Sequence, residues 1–202
     1  GAYLAAIRSI GRTEEYFYMP VFESAAMIPP QTRREALTEV RARLDTVSGS
    51  ILNIRVGGND LSHAFGLRRP VDRTIYDLRP VADILIDIVA AFGTQYVVSG
   101  PVWEYYSGEG WEEGLRREME LDLLNGFIGK TVIHPNQIPV VNEMLRVSQQ
   151  DYADARAILN WDTGSGSLVS ASEDGGRMNE YNTHSRWARR IVLRAERYGV
   201  RP

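Results

Sequence analysis

The chain has 202 residues, 44% of them apolar and 24% charged, enough to bury about 70% of the surface an unfolded chain of this size exposes. A net charge of −3 provides no basic field for a phosphate backbone, which argues against nucleic acid and for small molecules or further copies of the chain as partners. The absence of cysteine removes disulfide scaffolds, thiolate metal sites and cysteine nucleophiles, and fits a reducing cytoplasm.

Taken in chain order, Gly1 to Ile10 lack the basic start and small-residue cleavage pattern of a secretory leader, and no later apolar run reaches the roughly 20 residues of a membrane span. The expected location is the cytoplasm, with no membrane partner. From Tyr16 onward, short apolar runs alternate with helix-length amphipathic segments, the pattern of a parallel sheet covered by helices. Tyr16 to Phe22 reads as a strand. Pro30 to Thr46 reads as a helix with Ala36, Leu37, Val40 and Leu44 on one stripe. A second strand, Ile51 to Val56, leads through a loop containing Gly57, Gly58 and Pro70 to an apolar helix over Val81 to Phe92. Tyr96 to Ser99 gives a third strand and Trp111 to Leu124 its helix. Thr131 to Ile133 gives a fourth, with a helix starting near Asn136.

Four β/α units are half of an eight-fold barrel, which typically needs about 250 residues. The remainder is spent on helices over Gln149 to Leu159 and Asn179 to Tyr198, joined by a glycine- and serine-rich loop from Thr163 to Gly176. The expected domains are a barrel part over 1–147 and a C-terminal helical extension over 148–202. The early barrel strands have no counterpart in this sequence.

Glu23 directly follows the first strand, and Asp60 follows the second in Arg55-Val56-Gly57-Gly58-Asn59-Asp60. In a parallel β/α fold both carboxylates lie at the C-terminal ends of adjacent strands, where active sites form. Beside glycines that admit a ligand to the backbone, such a pair suits a hard divalent cation. Each residue alone reads equally as a cap on the following helix. Arg55, inside an apolar strand, needs an acidic partner or an anionic ligand, a structural ion pair being the simpler reading. The run Leu67-Arg68-Arg69-Pro70 reads as an anion site or a solvated loop.

After the third strand, Ser99-Gly100-Pro101-Val102-Trp103 forms a tight turn with an aromatic, and Trp103, Tyr105 and Tyr106 read as a pocket wall or as packing. The segment Gly126-Phe127-Ile128-Gly129-Lys130-Thr131 is not a phosphate loop, because two residues rather than four separate its glycines and its strand follows. Lys130, the single lysine among 23 basic residues, precedes its strand and so does not fit a Schiff-base role. His134 and Pro135 end that strand; the histidine reaches a pocket or bonds to backbone. Glu180 and His184 share a helix face at i,i+4 as an acid/base or surface pair.

In this order, Phe22-Glu23-Ser24, Arg55-Val56-Gly57-Gly58-Asn59-Asp60-Leu61, Ser99-Gly100-Pro101-Val102 and Gly126-Phe127-Ile128-Gly129-Lys130-Thr131-Val132-Ile133-His134-Pro135-Asn136-Gln137 resemble the citrate lyase beta-subunit and HpcH/HpaI aldolase superfamily, in its citrate-lyase-like branch. The resemblance covers Tyr16 to about Gly199. It implies a TIM (β/α)8 barrel with a C-terminal helical extension, Mg2+ on Glu23 and Asp60, and carbon–carbon bond cleavage in a small oxo or hydroxy acid, or its CoA thioester, through a metal-stabilised enolate. Gly57, Gly58, Asn59 and Pro101 are then the candidate substrate-binding residues, and Arg55 and His134 the candidate catalytic ones. A homo-oligomer, for instance a trimer, is implied by resemblance alone, and the family's early-strand arginine is missing. The competing expectations are an idle scaffold subunit and an acyl-CoA thioester hydrolase on the same metal.

Overall fold

The computed structural model describes Ser9 and residues 16–161, 169–172 and 175–202. The segment read above for a leader, apart from Ser9, lies outside these, as does most of the glycine-serine loop. The chain divides into two compact units, one of residues up to Tyr105 with Arg117–Ile133, the other of Tyr106–Arg116 with His134–Pro202.

In the first unit, strands β1 (Val21–Phe22), β2 (Ile54–Val56) and β3 (Val98–Ser99) form a parallel sheet in the order β1-β2-β3. Val21 pairs with Arg55 and Phe22 with Val56, while Ile54 pairs with Val98 and Arg55 with Ser99. The ladders are shorter than the apolar runs suggest. Tyr18 bridges Ile51, but Pro20 has no N–H to give and the pairing is interrupted before Val21.

One face of this sheet is dry. Phe22, Ile54, Val56 and Val98 are buried beneath helices α1 (Pro30–Asp45) and α3 (Arg79–Phe92). Helix α3 forms because Val81, Ile84, Leu85, Ile88 and Phe92 recur at helical spacing. A capping box between Thr74 and Asp77 organises the 3-10 turn just ahead of it, and Pro80 stands in its first turn. Ile88 and Leu85 are fully buried, and each such side chain contributes about 1.5–3 kcal/mol by leaving water. The opposite face is open: Phe17, Met19, Val21 and Val97 on it are 41–50% exposed. Among the described residues the largest sheet therefore has three strands, and the chain is mixed α/β without a closed eight-stranded barrel.

The expected fourth strand, Thr131 to Ile133, does not form. Ile128 N–H donates to Val98 O and Thr131 N–H to Gly100 O, so the chain runs beside β3 only as far as the single bridge between Lys130 and Gly100. Val132 and Ile133 then turn outward and are exposed. The loop expected after β2 is in part a short helix, α2 (Gly58–Ala64). Helix α4 (Trp111–Leu124) has the expected limits, belonging to the first unit from Arg117 onward.

The second unit contains α5 (Gln137–Met144), β4 (Val147–Ser148), α6 (Gln149–Leu159), the antiparallel pair β5 (Val169–Ala171) and β6 (Met178–Glu180), α7 (Tyr181–Tyr198) and β7 (Val200–Arg201). Ala155, Ile158, Ala188, Ile191 and Ala195 pack α6 against α7, and β4 pairs in parallel with β7. Gly199, at φ 86° and ψ 176°, takes an extended positive-φ conformation open to glycine, which ends α7 and leads Val200 into that pairing. Two expectations change here: Asn179 and Glu180 lie in a strand rather than the helix, and Val169–Ala171 is a strand within the presumed loop.

Candidate metal centre and its supporting network

Glu23 and Asp60 meet because of one register and one glycine. Phe22 lies beside Val56, and Gly57 N–H donates to Phe22 O at 3.0 Å, which puts the Gly57 turn next to the residue leaving β1. That residue is Glu23. Helix α2 starts at Gly58 and carries Asp60 in its first turn. A Cβ on Gly57 would stand 2.4 Å from Glu23 Cβ, 2.5 Å from Glu23 Oε2 and 3.2 Å from Asp60 Oδ2. Only a residue without a side chain fits there, and both carboxylate oxygens flank the space it leaves.

Both side chains face solvent, and neither makes an ion pair or hydrogen bond with another described residue. Two carboxylates this close repel by on the order of 1 kcal/mol even in water, a cost that a cation between them would reverse. The donor set is two hard oxygens, and no third histidine, aspartate or glutamate completes a cluster among the described residues. This fits Mg2+, which keeps several water or substrate oxygens and takes one or two carboxylates from the protein.

The candidate substrate-binding residues border this point. Gly58 is buried, since a Cβ on it would lie 2.6 Å from Ile75 Cδ1 and 2.7 Å from Pro101 Cβ. Pro101 thus seats the turn after β3 onto the turn after β2. The N–H of Gly57 is committed to the sheet, leaving those of the first turn of α2 without intrahelical acceptors. Asn59 Oδ1 faces Arg69 Nη1 at 3.5 Å. Arg55 is half-buried on the open sheet face with Val21 and Ser99, and the ion pair expected for it is not found among the described residues.

His134 belongs to the second unit. Its ring stacks on Tyr106 at 4.2 Å and 12°, and its Nδ1 accepts the Asn136 N–H at 3.2 Å. A neutral imidazole accepting at Nδ1 carries its proton on Nε2. His184 Nδ1 accepts the Glu180 N–H at 3.1 Å, so this pair caps the start of α7 instead of joining two side chains.

The largest feature that the sequence reading misses is a buried ionic network. Lys130 Nζ lies 2.7 Å from Glu118 Oε1 and 2.8 Å from Asp122 Oδ2, with the lysine and glutamate side chains wholly buried. Asp122 Oδ1 accepts the Tyr76 hydroxyl at 2.7 Å, and Glu118 Oε2 accepts the Ile75 N–H at 2.8 Å. Arg69 Nε faces the same Glu118 oxygen at 3.1 Å without being aligned to donate to it. The guanidinium also bonds Val102 O and lies 5.1 Å from the Trp103 ring centre, and the Tyr105 hydroxyl donates to Arg69 O. Burial pushes the Asp122 carboxyl up against the opposing pull of Lys130, and burial followed by the Asp122 charge pushes the Tyr76 phenol up, keeping it a donor. Arg68, by contrast, is an exposed partner of Glu104. The signals for this network in the sequence are the solitary Lys130 and the i,i+4 spacing of Glu118 and Asp122, which equally describes a solvated helix face.

Parallel strands with covering helices, and two carboxylates at adjacent strand ends, define a β/α fold of the kind that builds its site at the C-terminal edge of the sheet. The chain belongs to the family of carbon–carbon bond lyases of the TIM-barrel fold, whose family model matches residues 1–200. It is 28% identical over 166 residues to the L-malyl-CoA/beta-methylmalyl-CoA lyase of Cereibacter sphaeroides strain ATCC 17025, an alignment covering 75% of this chain and 48% of that enzyme. Against the enzyme of the same name from strain ATCC 17029 it is 36% identical over 74 residues, covering 36% of this chain and 22% of the relative. The chain thus spans about half the length of the first of these relatives and less of the second.

The fold is shared with solved structures, among them two citrate-lyase-related ones. The protein CitE of Mycobacterium tuberculosis, in complex with magnesium, acetoacetate and coenzyme A, superposes with a TM-score of 0.61 at 23% identity, covering 89% of this chain and 61% of that one. A citrate lyase from Burkholderia xenovorans LB400 gives 0.66 at 17% identity, covering 98% and 58%. Among the described residues no helix is long and apolar enough to cross a membrane.

Proposed function

We propose that this chain holds Mg2+ on Glu23 and Asp60 and takes part in cleaving a carbon–carbon bond in a small oxo or hydroxy acid or its CoA thioester. The observation that carries this reading is the pair of carboxylates, without a partner among the described residues, that flank the side-chain-free space at Gly57. Membership of the lyase family supports the reaction class. The named substrates of the malyl-CoA lyases and the ligands of the mycobacterial structure support a CoA thioester and magnesium.

When bound, the cation would supply Lewis-acid stabilisation of the negative charge that develops on a carbonyl oxygen as the bond breaks, an effect worth several kcal/mol. The protein's own part is positional. Glu23 and Asp60 hold the site from two different strand ends, so the sheet register sets their separation. Gly57 keeps the space open, and Gly58 with Pro101 walls it against Ile75. Asn59, next in sequence to Asp60, turns its side-chain oxygen toward Arg69. Arg55, a half-buried cation without an acidic partner among the described residues, is suited to a substrate carboxylate.

The test is product analysis with a 3-hydroxyacyl-CoA thioester and Mg2+. Formation of a shorter acyl-CoA together with a carbonyl fragment, lost in Glu23→Ala and in Asp60→Ala, supports the lyase. Release of free CoA with the carbon skeleton intact would replace it by a thioester hydrolase, and turnover that survives both substitutions would contradict the site.

A further inference from the structure

We infer that the buried Lys130 network is a positioning device for the candidate metal carboxylates, transmitting the placement of helix α4 to the Gly57 turn; this rests on reading Glu23 and Asp60 as the metal pair. The network touches three of the backbone segments around the turn: the end of β3, the Ile75 turn and the start of α2. Asp122 Oδ2 would lie 2.4 Å from a Cβ on Gly100, so the end of β3 rests directly on that carboxylate. Lys130 forms the parallel bridge to the same Gly100. Pro101, the next residue, packs on Gly58 together with Ile75, and the Ile75 N–H is fixed by Glu118. Arg69, held against Glu118, bonds Val102 O and faces Asn59 Oδ1, which is adjacent in sequence to Asp60.

Chemistry explains the residue types. Two ammonium or guanidinium groups and two carboxylates taken out of water gain little net stability over apolar side chains of the same volume, so their value lies in fixing a geometry. A compact ammonium with three donors reaches both Glu118 and Asp122 from one point, a geometry that differs from the planar fork of a guanidinium. The only lysine in a chain otherwise reliant on arginine stands at this point.

None of the four charged groups of the network has an ion pair or hydrogen bond with Glu23 or Asp60, so each acts through other residues. The paired variant Lys130→Met/Asp122→Asn removes one charge of each sign and leaves Arg69 with Glu118. Amide hydrogen exchange at Gly57 and Leu61, whose N–H groups donate to Phe22 O and Gly57 O, reads the turn; Val47, bonded to Leu44 O, serves as the control. We expect exchange at least tenfold faster at Gly57 and Leu61 with Val47 unchanged, and Mg2+ affinity at least tenfold weaker by calorimetry. Unchanged protection at the turn, or a change that merely follows Val47, overturns the inference. If the parent chain binds no Mg2+ but the turn still loosens selectively, the positioning stands and the metal reading falls. Should the paired variant not fold, Tyr76→Phe deletes one hydrogen bond to Asp122 and carries the same comparison with a smaller change at Gly57 and Leu61; no selective change there overturns the inference.

Discussion

Replacing Gly57 by alanine probes the site without touching either proposed ligand. The backbone there, at φ −87° and ψ 70°, is open to any L-residue, so the consequence is steric rather than conformational. The new methyl would lie 2.5 Å from Glu23 Oε2 and 2.4 Å from Glu23 Cβ. Reaching ordinary van der Waals contact requires each to retreat by about 1 Å. The carboxylate can swing into solvent, but Glu23 Cβ moves only with the end of β1, and the overpacking costs about 1–3 kcal/mol. In a chain of this size each kcal/mol lowers Tm by about 2–4 °C. The functional loss is proportionally larger, because Mg2+ accepts oxygens only near 2.0–2.1 Å and a displacement of about 1 Å removes a ligand. Calorimetry should therefore show Mg2+ affinity reduced at least tenfold, equivalent to about 1.4 kcal/mol, in a chain that circular dichroism reports as folded. Gly57→Ala binding Mg2+ as the parent does would refute the idea that the cation occupies the space between these carboxylates.

Three further outcomes follow from the same geometry. Lys130→Met alone leaves Glu118 and Asp122 buried without their cation and should cost about 3–5 kcal/mol in urea unfolding, more than the charge-balanced pair with Asp122→Asn. Gly58→Ala drives a methyl into Ile75 and Pro101 and should cost about 1–3 kcal/mol, with the loosening visible as faster exchange of the α2 amides. Burial, and next the hydrogen bond to Asp45 at 2.7 Å, push the Tyr96 phenol from an ordinary value of 10.0 up to about 12. A raised folded-state pKa means stability that is complete below pH 10 and is lost as the pH rises through 12. Ultraviolet titration should thus show one late-ionising tyrosine fewer in Tyr96→Phe than in the parent, Tyr76 being held protonated in both; an unchanged titration in that variant would contradict the assignment.

What the sequence discloses and what it hides divide along a physical line. Helix α3 is legible because its apolar spacing is a local property, and so are the strand-end positions of Glu23 and Asp60, which need only the alternation of strand and helix. The lengths of the strands are not, since Pro20 and the turn outward at Val132 depend on which neighbours offer hydrogen bonds. Arg69 could not be separated from Arg68 by inspection: adjacent in one loop, one is wholly buried against Glu118 and the other pairs at the surface with Glu104. Lys130 stands out in composition, but its meaning requires α4 to bring Glu118 and Asp122 beneath Gly100. The hairpin of β5 and β6 escapes for a similar reason, being defined by pairing across a loop whose composition reads as irregular.

The central claim is a divalent cation held by two carboxylates and shared with a substrate carbonyl. The most direct measurement is Mg2+ titration calorimetry on the parent chain, Glu23→Ala and Asp60→Ala, each with and without pyruvate or oxaloacetate. Binding by the parent should tighten with the oxo acid and disappear in both variants; equal binding in all three, or none in the parent with the oxo acid present, would rule out Glu23 and Asp60 as the metal pair.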